Sequence, residues 1–150
     1  MNWKSILSTT LLAGTLDITA ACTNAWLSSK TTPDVVLKYI ASGVFGKPAF
    51  SGGYGMMAWG LFFHFIIAFA CTACFFWAYP KWRFLQKSIL LNAVLIGVAA
   101  WLVTTRAVIP LSQITPTPFN LSKAFVAVAI LVVCIGLPVA AAAKRDFPRG

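Results

Sequence analysis

Polar and apolar positions along this chain separate into four long apolar runs joined by shorter polar segments. We place the runs at Ile6–Leu27, Gly55–Ala78, Ser88–Ile109 and Leu121–Ala143. As α-helices rising about 1.5 Å per residue, each run can cross a hydrocarbon core about 30 Å thick. Helices are expected because backbone groups in lipid must be satisfied within their own segment. The pattern predicts an all-α membrane protein, a four-transmembrane-helix bundle forming one integral membrane domain over residues 1–150.

The polar segment between the first two runs contains a short amphipathic pattern at about residues 33–44. Thr32-Pro33-Asp34 is a good helix start, with proline in the first turn followed by an acid. Three turns are too short to span, so we expect an interfacial helix after span one. It is either a packed cap over the bundle or a lid that binds a ligand. The glycines expected to end this helix or to form a hinge into span two are Gly43, Gly46, Gly52 and Gly53.

Composition and charge agree with a membrane protein. The chain is 59% hydrophobic and only 10% charged, where a soluble domain carries about 25% charged residues. Seven of the lysines and arginines flank span ends on the side of the termini, in short segments, and five lie on the other side. The positive-inside rule therefore favours cytoplasmic termini. We expect a multi-pass protein of the bacterial inner membrane whose basic inner rim contacts anionic lipid, and the net charge of +9 does not indicate nucleic-acid binding.

The first run also has an alternative interpretation. Thr19-Ala20-Ala21-Cys22 is close to a lipoprotein cleavage site, and cleavage there would leave three spans. A membrane span is the preferred interpretation, because Asp17 interrupts the supposed signal core and the apolar run continues to Leu27.

The runs contain one acid, Asp17, and one histidine, His64, and ionisable groups in a span are functional candidates. Each belongs to a stripe of small residues, which lets helices approach closely in lipid. Both lie at about 14 Å from the same end of their spans. We therefore predict a hydrogen-bonded or water-linked Asp17–His64 pair on facing helices. The pair either ties the helices together or serves a proton relay or ligand site.

Three further polar residues support this candidate site. Asn24 extends the small, polar stripe of span one, and Asn92 is expected to donate a hydrogen bond between helices. Arg106 lies near the outer end of span three, where its side chain is expected to reach the headgroups. A partner for Asp17 or an anion site is the alternative for Arg106.

Cys71-Thr-Ala-Cys74 suggests redox chemistry, as in four-span disulfide oxidoreductases that use quinone. Both cysteines lie in the middle of one helix, where their spacing is poor for a disulfide. Packed thiols are therefore the preferred interpretation. One histidine and scattered cysteines match no metal-site spacing, and no cofactor motif or catalytic constellation is present. We expect no metal, no cofactor and no catalytic residue.

Several segments carry a family resemblance. They are Tyr39–Gly46, Phe50–Gly53, Gly60–Ala68, Val108–Ser112, Pro118–Asn120 and Gly136–Pro138. From about Leu12 to Ala140 the chain resembles a group of uncharacterised bacterial four-span inner-membrane proteins, similar to the YagU-like family. The resemblance implies a bacterial inner membrane and no particular activity. His64 falls inside the shared pattern, whereas Cys71 and Cys74 do not.

Two classes of function remain open from the sequence. The preferred one is a non-enzymatic protein: an accessory or assembly subunit of a larger membrane complex or homo-oligomer, or a small proton- or solute-handling protein. The alternative is a membrane thiol–disulfide or quinone-linked oxidoreductase, which needs the cysteines to act together.

Overall fold

The structure, a computed structural model, describes residues 2–114, 118 and 120–148. Its six α-helices are α1 (Trp3–Ser29), α2 (Pro33–Phe45), α3 (Pro48–Ser51), α4 (Tyr54–Ala78), α5 (Ile89–Leu111) and α6 (Leu121–Asp146), and a 3₁₀ helix, Arg83–Gln86, precedes α5. The helices α1, α4, α5 and α6 are long and apolar enough to cross a membrane. The predicted all-α four-helix bundle is confirmed, and the chain is a multi-pass membrane protein.

Each spanning helix extends beyond its apolar run. The first begins at Trp3 because the Asn2 side chain caps it by accepting from the Ser5 N–H at 3.4 Å. The last begins after Asn120, whose side chain accepts from the Lys123 N–H at 3.0 Å, as the sequence predicts. Hydropathy locates the part of a helix that lies in lipid, whereas caps in the polar regions set its ends.

The four spans are not packed equally against each other. Helix α1 packs against α4 on one side and against α6 on the other, and α5 packs along α6. Helices α4 and α5 have few direct contacts. The bundle is therefore well packed through α4, α1, α6 and α5 in that order, and its side between α5 and α4 is the least closed.

One end of the bundle is a packed core. This terminal end holds the beginning of α1 and the end of α6, which meet where Arg145 donates to the Ser5 hydroxyl at 3.3 Å. Phe76 and Tyr79, both almost fully buried, pack here against Phe147. The buried apolar side chains of this core also include Ile6, Leu85, Ile96, Ile135 and Val139.

Glycines allow two close helix crossings. A Cβ added at Gly136 of α6 would collide with the Ala93 carbonyl oxygen of α5. A Cβ at Gly60 of α4 would collide with the Leu37 carbonyl oxygen of α2. The small-residue stripe of span two, which includes Gly60 and His64, is predicted to face span one, but Gly60 lies under α2. The absence of a side chain there lets α2 lie directly on α4.

Helix α2 begins at a proline and ends at a glycine. It starts with Pro33 after Thr32, as predicted. Gly43 lies inside α2 rather than at its end, because the helix continues to Phe45 and stops at Gly46, where φ is +66°. The predicted hinge around Gly52 and Gly53 contains the short helix α3, followed directly by α4.

The far end of α2 is attached to the end of α5. The Gln113 N–H donates to the Gly43 oxygen at 3.0 Å, and its side-chain amide donates to the Val44 oxygen at 2.5 Å. Since α2 also packs on α4, it crosses from α4 to the end of α5. It therefore caps the bundle at the end opposite the termini, which we call the α2 end.

Two spans contain a π-helical segment just before a proline. Thr104–Val108 in α5 precedes Pro110, and Val132–Gly136 in α6 precedes Pro138. Proline has no N–H and its ring clashes with the carbonyl four residues earlier, so an α-helical register cannot continue unchanged. A π-helical turn accommodates this by adding a residue to the turn. Both segments contribute residues to the cavity described next.

Candidate functional site: a cavity within the spans

The α2 half of the bundle contains a partly open cavity of about 700 Å³. All four spans and α2 line it, so it lies within the membrane-spanning part of the molecule and beneath the cap. The packed core of the terminal end lies below it. The cavity is bounded by α4 and α5 on the side where these two helices have few contacts.

Asp17 of α1 and His64 of α4 both line this cavity. Asp17 lies twelve residues before the end of α1 and His64 ten residues after the beginning of α4, so their depths from the α2 end are about 18 and 15 Å. Both are half-buried. Their side chains are close enough for their charges to interact. The structure thus places the two ionisable groups at similar depth on adjacent helices.

The hydrogen bond of His64 differs from the one expected. Its Nε2 atom lies 2.9 Å from the backbone oxygen of Gly14. A carbonyl oxygen can only accept, so Nε2 carries a proton and donates it to Gly14. Within the described part of the chain, no hydrogen bond or ion pair reaches the Asp17 carboxylate. Among the described residues, Asp17 and His64 therefore line one cavity and are not hydrogen-bonded to each other.

Gly14 explains why His64 can reach the α1 backbone. A Cβ at Gly14 would lie 2.6 Å from a Phe65 ring atom and 3.5 Å from the Ala68 Cβ. The small stripe of span one therefore faces α4 at this level, and the bare backbone exposes the Gly14 oxygen to the His64 ring.

Most of the cavity wall is apolar, and two of its hydroxyl groups donate to nearby backbone oxygens. The Thr105 hydroxyl donates to the Trp101 oxygen at 2.8 Å, and the Ser112 hydroxyl donates to the Ile109 oxygen at 2.8 Å. Because these hydroxyl groups already donate to backbone oxygens, they can bind a ligand only weakly. Asp17 and His64 are ionisable groups of the spans that line the wall, and Asn24 and Thr104 are further polar side chains in it.

The cap contributes Tyr39 to the cavity wall. Partial burial raises the pKa of its phenol above the ordinary value, so Tyr39 stays neutral over the physiological range. At the start of α2, a hydrogen bond from Thr32 and the charge of Lys38, 3.7 Å away, lower the pKa of Asp34. The cap thus places a neutral aromatic group inward and an ion pair at its N-terminal end.

The two cysteines of the Cys71-Thr-Ala-Cys74 segment are free and have different surroundings. Cys71 lines the cavity, whereas Cys74, three residues on, is exposed on the bundle's lipid-facing surface. Cys22 and Cys134 are half-buried and also free. Among the described residues, no group of three or more histidine, cysteine or acidic residues is arranged to hold a metal ion.

The other candidate residues lie in different places. Asn24 lines the cavity. Asn92 is buried but its amide donates to the Leu85 oxygen, which ties α5 to the preceding 3₁₀ helix instead of to another span. Arg106 is exposed, lies in the π-helical segment of α5 and is not part of the cavity wall.

The sequence interpretation missed Trp101, Thr104 and Thr105, which form much of the α5 wall. Apolar periodicity could not single them out in a span where most positions are apolar. Pro110 was the available signal, since a proline in a spanning helix disturbs the preceding turn.

Comparison with known protein families, with curated proteins and with solved structures gave no match to this chain. The resemblance to YagU-like proteins therefore stays a prediction, and any functional argument rests on the cavity.

Proposed function

We propose that this chain is a non-enzymatic, solute-handling membrane protein that binds a small apolar or amphipathic molecule in the cavity between its spans. The cavity itself is the observation that carries the proposal. Its volume of about 700 Å³ falls within the roughly 300–1,000 Å³ that is typical of small-molecule sites. An apolar wall with few polar groups, here Asp17 and His64, is also characteristic of such sites.

A route for such a molecule supports the proposal. The terminal end of the bundle is filled by core side chains such as Phe76 and Tyr79. At the α2 end, the cap is attached to α5 through Gln113. The side between α4 and α5 has few helix contacts, so a molecule dissolved in the bilayer would enter there.

Proton handling by Asp17 and His64 is a second candidate. It is favoured by one observation: the two groups line the same cavity and their charges interact. Loss of a proton-linked phenotype in Asp17→Asn would support it, and an unchanged phenotype would exclude it.

Two other expectations from the sequence are alternatives to this proposal. An accessory subunit would co-purify with a larger complex in mild detergent. A thiol–disulfide or quinone-linked oxidoreductase needs Cys71 and Cys74 to react together, which their different surroundings oppose. Thiol-oxidation activity that is lost in a Cys71→Ser/Cys74→Ser variant would favour the oxidoreductase.

The membrane in question is proposed to be a bacterial inner membrane with both termini in the cytoplasm. The support is the uneven distribution of lysine and arginine between the two sides. The α2 cap would then face away from the cytoplasm, and the basic terminal end would contact anionic headgroups.

Binding of a neutral probe to the purified protein tests the cavity. We suggest radiolabelled triphenylphosphine oxide, measured by scintillation proximity in detergent. Ala127 lines the cavity, whereas Ala129 on the same helix is exposed and outside it. Ala127→Trp should fill part of the cavity and weaken binding by about tenfold or more, while Ala129→Trp should bind as the wild type does.

The two outcomes separate clearly. Saturable binding at about one probe per chain that only the Ala127 variant loses supports the proposal. Absence of saturable binding, or equal binding by the Ala127→Trp and Ala129→Trp variants, would overturn it, since the probe would then sit in the micelle.

A further inference from the structure

The charge of the cavity is one-sided. Asp17 is the one acidic side chain among the described residues of the wall, and no lysine or arginine is among them. Arg106 and Lys38 each lie next to a wall residue in sequence, but neither lines the cavity. Arg106 is exposed, and Lys38 pairs with Asp34 at 3.7 Å. A net +9 protein thus has an internal cavity whose only strong charge is that of a carboxylate when Asp17 is ionised.

The Asp17 carboxylate lacks an internal partner. In the described part of the chain, no donor side chain or backbone N–H bonds to it. His64, the nearest candidate, directs its Nε2–H to the Gly14 oxygen. A half-buried carboxylate without a partner is costly in an apolar surrounding, and a cation placed beside it would remove that cost.

Three aromatic residues also line the cavity. Tyr39 from the cap, Phe63 from α4 and Trp101 from α5 all line the cavity. Faces of aromatic rings attract cations, most strongly those of the quaternary ammonium type that cannot be well hydrated. A carboxylate and aromatic rings around one apolar cavity form a combination that suits an organic cation better than a neutral or anionic molecule.

From this combination, we infer that the molecule bound in the cavity is an amphipathic or lipophilic organic cation, with its positive group beside Asp17 and its apolar part against the aromatic and aliphatic wall. The inference rests on the proposed function, because it names the chemical class of the solute at the same site. The inference adds that the positive charge of the solute determines its binding. Binding of a neutral probe does not test this point.

Two ions of nearly the same shape and opposite charge provide the test. Radiolabelled tetraphenylphosphonium, tetraphenylborate and triphenylphosphine oxide are the cationic, anionic and neutral probes, and each is measured separately because the two ions pair with each other in solution. We expect the wild type to bind the cation more than about tenfold more tightly than the anion. Asp17→Asn should weaken binding of the cation by about tenfold or more and leave binding of triphenylphosphine oxide within about twofold.

Three variants control the experiment. Asp34→Asn removes an acid outside the cavity and should bind the cation as the wild type does. Asp17→Glu keeps the charge and should retain cation binding. Binding of the neutral probe by Asp17→Asn shows that this variant is folded. If it does not fold, the inference is decided by the comparison of cation and anion in the wild type and by cation binding in Asp17→Glu.

The inference and the proposed function fail differently. Equal binding of cation and anion by the wild type, or unchanged cation binding in folded Asp17→Asn, would overturn the inference while the cavity still binds the neutral probe. Absence of saturable binding of either probe would overturn both.

Discussion

The His64 ring of α4 bonds to the Gly14 backbone oxygen of α1 across 2.9 Å, at a level where Gly14 has no side chain to separate the helices. The bond joins two spans that also carry the Asp17–His64 pair. It holds the His64 ring at the cavity wall and assigns its Nε2 proton to a backbone acceptor.

Replacing His64 should test the contribution of this bond to stability. His64→Leu should lower the free energy of unfolding in detergent by about 0.5–1 kcal/mol, the usual size of a hydrogen bond between membrane helices. His64→Gln retains a donor of similar reach and should recover part of the loss. Equal stability of the leucine variant and the wild type would show that the bond contributes nothing.

The glycine contact between α2 and α4 gives a matched pair of variants. A side chain at Gly60 would meet the Leu37 carbonyl, whereas a Cβ at Gly55, on the same helix, would meet nothing within 4 Å. Gly60→Ala should therefore destabilise the cap by about 1–3 kcal/mol and increase hydrogen exchange in α2. Gly55→Ala should leave exchange in α2 unchanged, and a similar increase in both variants would contradict the crossing.

The attachment of the cap to α5 depends on Gln113. Gln113→Ala removes the side-chain bond to the Val44 oxygen and leaves the backbone bond to Gly43. Because Gln113 is exposed, we expect a loss of about 0.5–1 kcal/mol, seen as faster hydrogen exchange at the end of α2. Gln113→Glu replaces the donor by an oxygen that faces Val44, so exchange should be at least as fast. Slower exchange in either variant would contradict the attachment.

The cap should also respond to acid through Asp34. The bond from Thr32 and the charge of Lys38 lower the pKa of Asp34 below its ordinary value of 3.8. A carboxyl group with a lowered pKa stabilises the folded state above its ordinary pKa, and this contribution is lost as the pH falls through the folded-state pKa. Protection of α2 amides, corrected for intrinsic exchange, should fall between about pH 5 and about pH 3.

Asp34→Asn provides the control for this pH effect. The variant lacks the titrating group, so its α2 protection should depend less on pH than that of the wild type. A wild-type cap that becomes better protected at the lower pH would contradict the sign of the effect.

The main elements could be predicted because lipid imposes simple requirements. Spans were placed from run length, and the start of α2 from Thr32 and Pro33, where proline fixes the backbone before the first turn. Neither prediction depends on which helices are neighbours. The similar depth of Asp17 and His64 on adjacent helices could be predicted from small-residue periodicity together with span position.

What the sequence left open depends on tertiary contacts. Gly60 could face any helix, and only the fold shows that it lies beneath Leu37. Asn92 was assigned to an interhelical bond, but Leu85 in the preceding segment is the acceptor that its amide reaches. The cavity itself arises because α4 and α5 remain apart, which no local pattern encodes.

The most direct test of the cavity uses two native cysteines as reporters. Two single-cysteine variants retain either Cys71, which lines the cavity, or Cys74, which is exposed on the same helix. The rate of alkylation by N-ethylmaleimide is measured by mass spectrometry, with and without saturating triphenylphosphine oxide. We expect the probe to slow the alkylation of Cys71 several-fold and to leave the alkylation rate of Cys74 unchanged. An unchanged rate at Cys71, or equal slowing at both cysteines, would contradict the claim that the cavity holds a small molecule.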